Sequence, residues 1–220
     1  MNNRTRVLLA MLLMTMAVTG VFAGQGIGIS AGAGGIMTGS FGGGLEGTVL
    51  GIKSTVKLPY SGGGGYLFLD TTYAEFSFGF LGSGGKTEAT GAGIVSGMGD
   101  MSYVSLNFGL LAKYPLALTG NLRFFPVLGI EFQRMLSVKS GDTKVDSLGR
   151  ESSDFNSFWF RAGAGLDLAL TRNLYARLEA LYGIRPANKF EKDVKDNSLF
   201  NLKTYPGHNF AAKIGMGYRF

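Results

Sequence analysis

The sequence predicts an all-β protein: a closed antiparallel barrel of eight strands that crosses a membrane. Three observations carry that prediction. Apolar residues recur with a period of two along segments such as Tyr103–Leu116 and Phe158–Leu170. The opposite face of these segments carries glycine and charge rather than a second apolar set. The connections alternate between tight turns and long polar links. A period of two assigns each residue to one face of a strand. Segments of about a dozen residues exceed the 5–6 usual in soluble sheets, and match the roughly 9–11 that a tilted strand needs to cross hydrocarbon.

Composition narrows the alternatives. Hydrophobic residues make up 45% of the chain and charged residues 16%, which excludes an acidic disordered chain. Glycine is 36 of 220, but it has no three-residue period and proline is only 5, so collagen is excluded. Cysteine is absent, which removes disulfides, thiolate nucleophiles and cysteine-bound metals. A single histidine leaves little for zinc or for acid–base chemistry near neutral pH. No cofactor, metal or enzymatic activity is therefore expected.

Along the chain, residues 1–23 read as a signal peptide. Arg4 and Arg6 precede the apolar run Val7–Val18, and Val21-Phe22-Ala23 supplies small residues before a cut. The run is too short to span a bilayer as a helix. Residues 24–220 then form one barrel domain. Its first strand lies near Gly26–Ala33, followed by a link over 37–44 and a weak strand, Leu45–Leu58. Pro59–Gly65 reads as a glycine-rich turn, Tyr66–Phe80 as a strand and 81–100 as a long link. Asp70 falls on the apolar parity of Tyr66–Phe80, which suggests a bulge or an interfacial position. Five clean strands follow: Tyr103–Leu116, Leu122–Phe132, Phe158–Leu170, Leu174–Ile184 and Phe210–Phe220. Thr119-Gly120-Asn121 and Thr171-Arg172-Asn173 are tight turns, and 137–156 and 187–207 are long polar loops. In lipid no water satisfies a free strand edge, so the strand near Gly26 must pair with the strand near Gly215. Apolar faces then meet lipid and charged faces meet the lumen, with short turns periplasmic and long loops extracellular.

The chain ends Met216-Gly217-Tyr218-Arg219-Phe220. An aromatic at the C-terminus with another two before it resembles the recognition signal of bacterial outer-membrane barrels. With the signal peptide and the alternating strands, the chain resembles the small eight-stranded family of the OmpA membrane domain, OmpX and OmpW-like proteins. That resemblance covers 24–220 and is architectural. It implies export across the inner membrane, delivery by periplasmic chaperones and insertion by the barrel-assembly machinery, which would read Tyr218 and Phe220. Outer-membrane lipid is the implied surrounding, the monomer the implied state, and nucleic acid is not an implied partner.

The candidate site is the inward face. By parity Glu75, Lys113, Arg123, Glu131, Arg161, Asp167, Arg177, Glu179, Lys213 and Arg219 share it. An eight-stranded barrel is only wide enough for its side chains to fill, so these charges must pair. A filled lumen implies a structural, membrane-anchored role. The same residues could instead line a narrow small-solute pore of porin-like kind, six basic against four acidic. Two further readings stand beside these. One is an adhesin or host-interaction protein acting through loops 137–156 and 187–207. The other is a carrier of small hydrophobic molecules, as the OmpW-like resemblance implies. His208 shares the parity of Phe210 and faces outward near a rim. Barrel enzymes that pair His with Ser would carry a serine where Phe210 stands. Ser83-Gly84-Gly85-Lys86-Thr87 resembles the end of a phosphate-binding loop, but Phe80 occupies its first glycine position, so it reads as a surface loop. Tyr66, Phe68, Tyr114, Tyr182 and Tyr218 are candidates for interfacial girdles, whereas parity turns Trp159 inward.

Overall fold

A computed structural model describes residues 28–49, 52–57, 59–91, 94–144, 151–196 and 202–220. The 1–23 segment and Gly26 lie outside them. Eight antiparallel strands close into a ring. They are β1 (Ile29–Val49), β2 in two pieces (Ile52–Lys57 and Tyr60–Thr71), β3 (Ala74–Gly91), β4 (Ile94–Lys113), β5 (Leu122–Ser140), β6 (Ser157–Ala169), β7 (Leu174–Arg185) and β8 (Lys203–Arg219). Each pairs with its sequence neighbour, and β1 closes on β8 with Ser30 opposite Arg219 and Gly34 opposite Gly215. Among the described residues the ring leaves no open strand edge for lipid to desolvate.

The alternation decides the two surfaces. Leu67, Phe78, Phe108, Leu128, Phe160, Leu178, Phe210 and Ile214 are all exposed on the outside. Tyr66, Phe68, Leu111, Phe125, Tyr175 and Leu181 are buried inside. Such an apolar exterior suits a hydrocarbon solvent, not water. Gly32, Gly165 and Gly217 seat three of the inner rings: an added Cβ there would lie 2.3–2.4 Å from a ring atom of Phe68, Phe125 and Tyr175.

The N-terminal half departs from the sequence reading. Pro59–Gly65 is not a turn; from Tyr60 it is strand, paired in register with Gly35–Ser40. Alternation is silent where glycine supplies no side chain, so a glycine-rich strand looks like a turn. Tyr66–Phe80 is two strands joined at Thr72–Tyr73. That two-residue joint restarts the parity, so Asp70 faces the lumen rather than the apolar side. Tyr66 and Phe68 go inward with it and are not girdle residues. The links expected over 37–44 and 81–100 are mostly strand, and Ser83–Thr87 lies within β3 instead of a surface loop. A bulge on β1 carries Gly42 (φ 66°) and Gly43 (φ 78°), a conformation glycine adopts without a steric penalty.

Two ends result. One carries the turns at Thr72–Tyr73, 118–121 and 170–173. At the other, β1, β3, β4 and β5 run 18–21 residues, well past what a span requires, while β6 and β7 stop at 13 and 12. A 3₁₀ turn (Ser152–Phe155) and helix α1 (Lys189–Asp196) sit at that end, within the segments expected as open loops.

Candidate functional site: the charged bore

Inward parity brings charges from seven strands into one column. At its lower centre stands Arg177 of β7, whose side chain is fully buried. Its Nε and Nη2 donate to the two oxygens of Asp167 at 2.7 and 2.9 Å, a fork on a carboxylate of β6. Nη2 also donates to Asp70 at 2.6 Å, and Nη1 to Glu75 at 2.7 Å. Glu179 lies 3.6 Å from Nη1. The guanidinium is flanked by rings, with Phe68 and Phe125 each 4.8 Å from it and Tyr175 at 5.3 Å. Planarity explains the choice of arginine: one rigid fork meets several carboxylates while its faces stack on aromatics.

Two lysines extend this cluster. Lys113 donates to Asp70 at 2.6 Å and lies 5.0 Å from the Phe125 ring. Lys213 sits 3.3 Å from Glu75 and 3.4 Å from Glu179. Above them Glu131 accepts from Arg161 at 2.7 Å and from Asn107 at 2.9 Å. Arg161 also donates to Asn209, which in turn donates to Thr38. Trp159 donates to Gln133 at 3.1 Å, Gln133 to Ser105 at 3.1 Å, and Ser105 to Asn107 at 3.2 Å. Hydrogen bonds thus cross the bore from wall to wall.

The outer mouth is covered. Arg185 donates from both terminal nitrogens to Glu191 of α1 at 2.8 Å. Asn188 and Glu191 exchange backbone and side-chain bonds at 2.9 Å, a capping box that starts the helix. Phe190 stacks on Phe155 at 4.5 Å, above a cluster of Tyr103, Met135 and Val138. Lys189 donates to Asp154 at 2.5 Å, and that bond holds its ammonium above the usual lysine range. At the opposite mouth a recess of about 390 Å³ opens between Asp70, Lys113, Arg123, Asp167 and Arg219.

Of the ten residues read from parity, Glu75, Lys113, Glu131, Arg161, Asp167, Arg177, Glu179 and Lys213 are buried together in the bore. Arg123 is exposed at the lower mouth, and Arg219 is half-buried there with its guanidinium 4.6 Å from the Tyr175 ring. Parity alone misses Asp70, because nothing in the alternation marks the joint at Thr72–Tyr73. It misses Arg185 because the apolar alternation stops at Ile184, one residue before the strand does. Trp159 is fully buried. His208 lies on the outer surface, its Nδ1 2.6 Å from the Tyr182 hydroxyl. Tyr218 and Phe220 are exposed on the outside, with ring centroids 5.5 Å apart.

A closed sheet with lipid-compatible outer residues and paired charges inside defines a membrane-spanning β-barrel. Residues 6–220 match the outer membrane protein beta-barrel domain, and the chain belongs to that family; its place is the bacterial outer membrane. Among solved structures it is similar to OprG from Pseudomonas aeruginosa, at 12% identity over 88% of this chain and 96% of that one, TM-score 0.50. It is also similar to Neisserial surface protein A, at 13% identity over 89% of this chain and 100% of that one, TM-score 0.48. These likenesses concern the fold. No curated protein matches the sequence.

Proposed function

We propose that this protein is a non-enzymatic outer-membrane anchor whose bore is sealed, and that it works through its outer crown. The observation that carries the reading is Arg177, fully buried and held by carboxyl groups of β2, β3 and β6. A cation tied to three walls leaves no path for solute, and moving it would strand several buried charges. The ordered crown supports the second half of the reading. Helix α1 and the 3₁₀ turn are pinned to the rim by Arg185–Glu191 and by Phe155–Phe190, so the outer face offers a fixed surface to host or envelope proteins. A carrier of hydrophobic molecules would require an apolar path, and the bore is charged. Export by the 1–23 signal, insertion through recognition of Tyr218 and Phe220, and a monomeric state in lipid complete the proposal.

Planar-bilayer recording of refolded protein tests the seal. The expected result is an unbroken baseline over a range of voltages and salts. Reproducible unitary steps would show a conducting bore and overturn the sealed-anchor reading.

A further inference from the structure

The central cluster does not balance. Arg177, Lys113 and Lys213 are three cations, and the carboxyl groups tied to them are four: Asp70, Glu75, Asp167 and Glu179. All seven side chains are at least nine-tenths buried; Asp70, Lys113 and Asp167 border the recess, whereas Glu75, Arg177, Glu179 and Lys213 are 0–2% exposed, so bulk water does not reach the surplus negative charge around Glu179. Arg123, whose backbone pairs with Asp167, is exposed at the mouth and forms none of these ion pairs.

The four carboxyl groups are not equivalent. Asp167 accepts from Arg177 through both oxygens, and Glu75 accepts from Arg177 and Lys213 through one each. Asp70 takes three donors on Oδ2: Ser30, Lys113 and Arg177. Glu179 takes none. Both of its oxygens are buried without a hydrogen-bond partner, although its residue is 1% exposed. Its nearest cations stand off at 3.4 and 3.6 Å. A buried carboxylate with no donor is the costliest of the four to keep ionised, and a proton removes that cost at once.

We infer that Glu179 is a proton-binding site in the bore: its carboxyl group remains protonated at neutral pH and so brings the seven-residue cluster to charge balance. The groups around it come from the other walls. Glu75 of β3, Lys213 of β8 and Arg177 of β7 are nearest, with Lys113 of β4, Asp70 of β2, Asp167 of β6 and the Glu131–Arg161 pair beyond. Tyr66 of β2 adds a buried hydroxyl that also lacks a partner. The lumen positions described on β1, such as Ser30 and Thr38, bring no charge.

The inference concerns one proton and holds whether or not the barrel conducts, so bilayer recording and the following tests fail independently. In lipid vesicles at neutral pH, infrared spectra of the wild type should contain a protonated-carboxyl stretching band that Glu179→Gln lacks. The variant is isosteric with the protonated acid, so it should refold to the same barrel, whereas Glu75→Gln should be clearly weaker. Linkage supplies a further readout. A carboxyl protonated in the folded barrel but ionised in the unfolded chain makes folding take up a proton. Above the ordinary glutamate range of about pH 4.3, the wild-type unfolding constant should therefore rise relative to Glu179→Gln by up to about tenfold per pH unit, until Glu179 itself ionises. No band in the wild type, a band that survives Glu179→Gln, equal pH slopes, or a Glu179→Gln that fails to fold would each overturn the assignment.

Discussion

Arg177 shows how much one side chain carries in this bore. Its nitrogens donate to Asp70, Glu75 and Asp167, and three rings pack around the guanidinium. Arg177→Ala would leave those carboxylates buried with fewer donors. Breaking a buried pair from one side costs about 3–5 kcal/mol, far more than the pair contributes against an apolar replacement. Urea unfolding in vesicles, followed by heat-dependent gel migration, should place the loss in that range. Glu131→Ala, which strands Arg161 and Asn107, should fall near the lower end. An unfolding midpoint unchanged by both substitutions would mean that the bore is wet and screened rather than packed.

At the scale of elements, the outer crown hangs on helix α1. Eight residues are too few for a helix to persist alone in water. Among the described residues four contacts hold it: the Asn188–Glu191 capping box, the Arg185–Glu191 fork, the Lys189–Asp154 pair and the Phe155–Phe190 stack. Asn188→Ala should cost the helix about 1 kcal/mol. Glu191→Gln keeps the shape of the side chain but leaves Arg185 without its countercharge. Limited proteolysis separates crown from barrel. Both variants should be cut faster within 187–196 while the strands resist at the wild-type rate. Equal cutting rates would show that the crown is held by other means. The strands divide in the same manner: β6 and β7 end near the rim, whereas β1–β5 carry the sheet beyond it.

For the whole molecule the governing fact is the reversal of inside and outside. Leu178 is 52% exposed, and its register partners are Leu166 and Ile214, both outward. It lies near the middle of β7, hence near the middle of the bilayer. Leu178→Arg should cost about 2–4 kcal/mol in lipid, the known penalty for arginine on the lipid face at the midplane. The same change in a water-soluble barrel would cost almost nothing. Comparing the unfolding free energies of the wild type and Leu178→Arg in vesicles measures that cost directly, and a cost under about 0.5 kcal/mol would argue against burial of this face in lipid.

The architecture, and the sorting of residues to lipid or lumen, is legible in the sequence wherever side chains alternate. From Tyr103 to Phe220, period two is a direct consequence of the pleat, and eight of the ten parity charges lie together in the buried bore. It failed where glycine removes the signal, at Pro59–Gly65, and where the joint at Thr72–Tyr73 reset the count and hid Asp70. Which charges meet is set by the folded ring. Parity assigns a face but not a height or a partner across the ring, and those depend on the register between strands far apart in the chain. That register places Arg177 among Asp70, Glu75 and Asp167, and leaves Glu179 beside them with no donor.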